Sequence, residues 1–205
     1  MSSKHPPATI VGVVIAGGRS LRFGGEKAIA ELNGKPLLIS AAERLQRCCA
    51  TVAVNARPGS ETESLARTCG FAVLHDAPGD AAGALAGVKA GLTWAEALGA
   101  LGLAVSPCDA PLLPEDLYER LIRAAGGGAA VAETSDGRQP LCSLWPVSAL
   151  SAVVEALAGG AHPPTWALLE SIGAARVTFD DTRAFANVNT RSDLAALAGR
   201  LGYQR

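Results

Sequence analysis

A chain of 205 residues, 49% hydrophobic and 18% charged, can bury one sizeable core but not two ordinary ones, and it is too apolar to be disordered. A formal charge of −1 excludes the basic excess of a nucleic-acid or anionic-membrane binder, and no apolar run reaches the roughly 20 residues of a membrane helix. The five cysteines (Cys48, Cys49, Cys69, Cys108 and Cys142) contain no C-x-x-C pair, which argues against a zinc site or disulfide framework and for reduced, mostly buried thiols.

The N-terminus, MSSKHPPAT, lacks an apolar signal core, so a cytoplasmic protein with a flexible start over residues 1–8 is expected. Val11, Val13, Val14 and Ile15 read as a buried strand ended by Gly17-Gly18. Residues 36–47 read as a helix entered at Pro36, with Leu37, Leu38, Ala41, Ala42 and Leu45 inward. A strand over 51–55, a helix over 61–68 stopped by Gly70, and a strand over 71–74 follow. An alanine-rich helix over 84–98 leads to a strand over 101–106. Pro114 opens the next helix, with Glu115 and Asp116 in its first turn. Residues 129–133 and 141–145 flank the polar turn Ser135–Arg138 as a β-excursion. Helices over 147–158 and 164–172, a strand over 175–179 and a helix near 191–200 complete the chain. Alternating strands and helices predict an α/β fold: a single Rossmann-like three-layer domain over 1–205, with a mainly parallel sheet and helices on both faces. Ligands of such sheets bind beyond the carboxyl ends of the strands.

The densest cluster of chemistry follows the first strand. Gly17 and Gly18 leave backbone N–H groups uncovered, and Arg19, Arg22 and Lys27 add positive charge beside them, a cradle for a polyphosphate. Within residues 1–35, five basic residues (Lys4, Arg19, Arg22, Lys27, Lys35) stand against Glu26 and Glu31, which suits a small anionic ligand. The loop is not G-x-x-x-x-G-K-[ST], because Lys27 precedes Ala28, and not G-x-G-x-x-G, because Gly17 and Gly18 are adjacent. Asp109, between Pro107 and Pro111, is placed to hold Mg²⁺ against phosphate charge, or to act as a turn aspartate. Asn55 and Asp76 stand at strand ends, where either a turn-forming or a ligand-binding role is open. Asn187 and Asn189, two apart, point the same way if the backbone there is extended; an Asx turn before the last helix is the other reading.

The segment Ala16-Gly17-Gly18-Arg19-Ser20-Leu21-Arg22-Phe23-Gly24-Gly25-Glu26-Lys27 resembles the A-G-G-x-S-x-R-[MF]-G-x-[DE]-K signature of the molybdenum cofactor guanylyltransferase family. Leu32–Leu37 resembles its L-x-G-K-P-L segment, and Gly83–Gly87 its G-P-L-A-G loop with Ala84 for proline. Pro107–Pro111 resembles its P-C-D-x-P motif, and Asn187–Thr190 its N-V-N-T segment; Gln139 stands where the family more often has histidine before Pro140. The resemblance spans roughly residues 10–197 and implies transfer of GMP from GTP to molybdenum-bound molybdopterin, with release of pyrophosphate and Mg²⁺ as cofactor. It implies catalytic roles for Arg22, Lys27 and Asp109, the last as metal ligand. It further implies nucleotide contacts at Ile15, Ala16, Gly17, Gly18, Lys27, Asn55, Asp76, Gly83, Leu85 and Asp109, and pterin-side roles for Arg138, Asn187 and Asn189. GTP, molybdopterin and the proteins that supply it or mature molybdoenzymes are the implied partners. The neighbouring readings are a molybdopterin cytidylyltransferase, whose loops more often read A-A-G than Ala16-Gly17-Gly18, and a sugar or other small-molecule nucleotidyltransferase of the same fold. A catalytically idle nucleotide-binding domain is the reading from another class.

Overall fold

The computed structural model describes residues 9–18, 20–80, 83–158 and 163–202; the expectations for residues 1–8 and for Arg19 lie outside them. β1 (Ile10–Ile15) is the β-branched run IVGVVI and lies at the heart of a seven-stranded sheet. Around it stand β4 (Val52–Asn55), β5 (Ala72–Leu74), β6 (Gly102–Pro107), β7 (Ala130–Thr134), β8 (Gly137–Pro146) and β9 (Ala175–Thr178). The strand order is β5-β4-β1-β6-β8-β7-β9, and β8 alone runs antiparallel to its neighbours. A separate two-residue hairpin, β2 (Glu31–Leu32) with β3 (Lys35–Pro36), turns at Asn33 and Gly34, both at positive φ. The Asn-Gly pair is the turn chemistry that geometry demands.

Side chains alternate between two cores. Val14 points into the face covered by α1 (Leu37–Gln46), α2 (Glu61–Thr68) and α4 (Leu117–Ala125). Val11 and Val13 point into the face covered by α3 (Ala84–Ala97), α5 (Leu150–Leu157) and α6 (Thr165–Ser171). The five α1 residues expected to face inward are all buried, and Gly12 lets that helix lie close, since a Cβ there would meet Leu45 at 3.1 Å. Apart from Trp145 and Tyr118, the largest fully buried side chains are aliphatic. Both aromatic exceptions carry a polar tip with a partner: Trp145 Nε1 donates to Ser143 Oγ at 2.9 Å, and the Tyr118 hydroxyl to the Val105 carbonyl at 3.1 Å.

Three sequence expectations change. α4 starts at Leu117, because Pro114–Asp116 form a turn first and Asp116 occupies the N-cap. Arg138-Gln139-Pro140 lies within β8, not ahead of it. The strand accommodates Pro140 through a bulge: the pairing jumps from Val131↔Ser143 to Ala132↔Gln139, leaving residues 140–142 outside the register. Finally, residues 186–189 are irregular, so Asn187 and Asn189 do not share one face of a strand. α7 (Arg191–Gly202) is capped by Thr190 instead, whose Oγ1 accepts from Asp193 N while the Asp193 carboxylate accepts from the Asn189 and Thr190 amides. Those bonds to backbone amides outweigh burial and hold the Asp193 carboxyl below its ordinary range.

Candidate active site

Four parallel strands end in one row. In register, Leu74 of β5, Asn55 of β4, Ile15 of β1 and Pro107 of β6 stand side by side at their carboxyl ends. The chain that leaves each end supplies one wall of a cavity of about 500 Å³: Asp76, Arg57, Gly17-Gly18 and Asp109. Chain connections diverge between β1 and β6, with α1 on one face and α3 on the other, so a crevice opens there as the topology requires.

The two glycines differ. A Cβ on Gly17 would stand 3.2 Å from Asn55 Oδ1, so this position is tight, whereas one on Gly18 would meet nothing within 4 Å. Among the described residues, neither amide has a hydrogen-bond partner. The loop then closes on Lys27, whose Nζ lies 2.5 Å from Asp109 Oδ2 and 3.4 Å from Asn189 Oδ1. Both members of this ion pair are largely buried, at 12% and 19% side-chain exposure, so each charge depends on the other. The loop that carries Asp109 is pinned twice: Val188 N donates to the Asp109 carbonyl at 2.8 Å, and Arg44 Nη2 to the Pro111 carbonyl at 2.9 Å.

Glu26, next to Lys27, was not among the expected site residues. Its carboxylate accepts from Thr62 N at 2.7 Å and from the Thr62 hydroxyl, and pairs with Arg57 at 3.1 Å. It thereby caps the first turn of α2 from a distant loop, where the helix dipole favours an anion. Burial alone would raise the Glu26 carboxyl, but the Thr62 bonds and Arg57 prevail and hold it below its ordinary range. The [DE]-K pair at positions 26–27 was the available signal; its long-range partner was not visible.

On the opposite wall, Asn55 Nδ2 donates to Asp76 Oδ1 at 2.9 Å and reaches the Leu74 carbonyl at 3.4 Å. Gly87 explains the second glycine of the Gly83–Gly87 segment: a Cβ there would stand 2.6 Å from Asn55 Oδ1 and 2.9 Å from Ile15 Cδ1. α3 can press against the ends of β1 and β4 only without a side chain.

Of the expected site residues, Ile15, Ala16, Gly17, Gly18, Lys27, Asn55, Asp76, Gly83 and Asp109 line the cavity. The other five do not line it. Leu85 points down into the core at 1% exposure, as the first turn of α3 directs it beneath the cavity. Arg22 is exposed and forms no ion pair among the described residues. Arg138 is drawn away by Glu170, at 2.9 Å, within a surface network that also holds Glu133 and Arg176, with its guanidinium 5.5 Å above the Trp166 ring. Asn187 is exposed, while Asn189 reaches Lys27. Leu141, in the β8 bulge, lines the cavity without having been expected to. Cys108 lines it as well, but burial and Asp109 push its thiol up to about 12, so it is protonated at neutral pH and not a nucleophile.

A family model described as the MobA-like NTP transferase domain matches residues 12–176, which contain the carboxyl end of every strand of this crevice. The chain belongs to the MobA-like NTP transferase family. It is 39% identical over 187 residues to a molybdenum cofactor guanylyltransferase of Cereibacter sphaeroides, covering 91% of this chain and 94% of that protein. It is 38% identical over 201 residues to one of Cupriavidus taiwanensis, covering 93% and 97%. The crystal structure of molybdopterin-guanine dinucleotide biosynthesis protein A from Archaeoglobus fulgidus shares the fold, with a TM-score of 0.73 at 21% identity over 95% of this chain and all of that one. This MobA-like chain is therefore a nucleotidyltransferase enzyme, and such enzymes generally use a divalent metal. Among the described residues no three His, Cys, Asp or Glu side chains cluster as a resident metal cage. Asp109 places one carboxylate on the cavity wall, the donor type that a hard divalent ion shared with phosphate oxygens would take. No helix among the described residues is long and apolar enough to cross a membrane.

Proposed function

We propose that this chain, as one domain over residues 1–205, transfers GMP from GTP to molybdopterin or its molybdenum-bound form in the cytoplasm. A terminal phosphate oxygen of the acceptor attacks the α-phosphorus in line; a new P–O–P bond forms, the α–β bond breaks, and pyrophosphate leaves with the electron pair. The reading rests above all on one juxtaposition: the Gly17 and Gly18 amides, unbonded among the described residues, meet Lys27 and Asp109 at the ends of β1 and β6. The names of the relatives supply the substrate class.

In the ligand-free site Lys27 and Asp109 neutralise one another. A triphosphate arriving at the glycine loop offers Lys27 a better-charged partner and releases the Asp109 carboxylate. Asp109 would hold Mg²⁺, which would supply charge neutralisation on the phosphates. Lys27 and the two amides then stabilise the charge that gathers on departing pyrophosphate, with exposed Arg22 free to join them. Asp76 reads the base: Asn55 fixes one of its oxygens, and the carboxylate accepts from the guanine N1–H and amine. Asn189 orients Lys27 from the acceptor side, and Arg138 and Asn187 meet the pterin after the surface network opens. No covalent protein intermediate is required, because positioning and charge stabilisation supply the rate.

The test is incubation of the full chain with Mg²⁺, molybdopterin and GTP, CTP or ATP in turn, followed by pyrophosphate release and mass analysis of the product. Pyrophosphate and a guanine dinucleotide with GTP alone are expected. Preferred turnover of CTP would reassign the donor, and no release with any nucleotide would return the chain to a binding role.

A further inference from the structure

Asp80 and Lys89 form an ion pair that the reaction above does not use. Lys89 Nζ donates to both carboxylate oxygens of Asp80, at 2.7 and 3.0 Å, with side chains 22% and 11% exposed. Of the partly buried ion pairs in the chain, only this one and Lys27–Asp109 leave so little of both partners to solvent among the described residues. Neither residue lines the main cavity alongside Asp80's neighbours Asp76 and Gly83; Asp80 and Lys89 instead line a groove on the other side of the same loop, beside Trp94 and His75.

The position of the pair in the loop gives it a task. The segment leaving β5 carries Asp76, then turns at Ala77–Asp80, with Pro78 at the second position and Gly79 (φ +91°) at the third. The turn is closed by Asp80 N donating to the Ala77 carbonyl at 3.1 Å. The chain re-enters at Gly83, on the cavity wall, and continues as α3. Lys89, one and a half turns into α3, therefore fastens the middle of the loop to the helix that forms its far end. Asp76 itself is exposed, and the one side-chain bond described for it comes from Asn55. A carboxylate meant to read two donors on one base edge needs its backbone held, since small displacements weaken directional bonds steeply.

We infer that the Asp80–Lys89 pair is a positioning device for guanine recognition: it holds the Asp76-bearing loop in register with α3 and so sets discrimination by the base, not the rate of transfer. This inference rests on Asp76 being the base reader.

The test is calorimetric titration of the full chain, with Mg²⁺, by GTP and by ITP, which lacks the exocyclic amine. Lys89→Met and Asp80→Asn are each expected to lower the GTP-over-ITP affinity ratio by about five- to tenfold. Lys89→Arg, which preserves a two-pronged bond to the carboxylate, is expected to keep the wild-type ratio. Looser folding alone would weaken both nucleotides equally and leave the ratio in place, so an unchanged ratio in folded Lys89→Met and Asp80→Asn overturns the inference. Loss of the ratio in Lys89→Arg to the same extent as in Lys89→Met also overturns it. A wild-type chain that binds GTP and ITP equally overturns the guanine reading itself, which separates the two failures.

Discussion

At the proposed donor end of the cleft, Lys27 and Glu26 are largely buried and tied to partners far away in the sequence, Asp109 and Thr62. At the proposed acceptor end, Arg138 belongs to a surface network with Glu133, Glu170 and Arg176, and Asn187 stands in solvent. Exposed ion pairs contribute little, roughly 0–1 kcal/mol, and open readily, whereas a buried charge that loses its partner is strongly penalised. On the proposed roles, the donor end is arranged before any ligand arrives, and the acceptor end is left for the ligand to arrange. That division suits a reaction in which charge gathers on the pyrophosphate side.

The contrast can be broken most directly by truncating one cation at each end. Lys27→Ala should lower turnover by about 10²–10³, the effect of removing one transition-state donor. Arg138→Ala should stay within about tenfold of wild type at saturating acceptor, since its loss removes uniform binding. Steady-state kinetics of the two variants decide it, and equal losses would erase the distinction between the ends.

Two glycines sharpen the same point within the donor end. Gly87→Ala forces a Cβ against Asn55 and Ile15 and should cost about 1–3 kcal/mol of stability. Gly18→Ala has open space and should leave stability within about 0.5 kcal/mol while weakening triphosphate binding. Denaturant unfolding and GTP titration of both variants check the pair; a destabilised Gly18→Ala with normal GTP affinity would contradict the cradle.

The smallest expected effect is in pH. Because the folded state holds the Glu26 carboxyl below its ordinary value of about 4.3, Glu26 contributes stability above that value, and the contribution disappears as pH falls through the depressed one. The difference in unfolding midpoint between wild type and Glu26→Gln should therefore be full at pH 7 and shrink on acidification towards pH 3. A difference that is constant across this range would mean that the Glu26 charge does not tie the loop to α2.

Much of this fold can be read from local pattern. The β-branched run of β1, the Pro36 entry to α1 and the Gly70 stop after α2 are properties of short segments, and their elements lie within a residue or two of expectation. The cavity-lining residues were legible for a related reason: each ends a strand or lies in the chain that leaves one, and parallel strands in register bring their ends together. What escaped depends on distant partners. Pro140 reads as a strand breaker until the bulge opposite Val131 and Ala132 accommodates it. Arg138 reads as a free cation until Glu170 of α6 claims it. Glu26 reads as a loop anion until Thr62 reaches it across 36 positions of sequence. The spacing of Asn187 and Asn189 implies a shared face only for extended backbone, and the bonds of Asp193 to the Asn189 and Thr190 amides impose a cap instead.

The central claim is that the glycine loop, Lys27 and Asp109 form a triphosphate donor site selective for guanine. Thermal unfolding of the full chain with Mg²⁺ and GTP, CTP or ATP, repeated on Lys27→Ala, tests it most directly. A nucleotide at 100 times its dissociation constant adds about 2.7 kcal/mol, enough to move the midpoint visibly. The account predicts a shift with GTP that is absent with CTP and ATP and lost in Lys27→Ala. An equal shift in that variant, or no shift with any nucleotide, would contradict it.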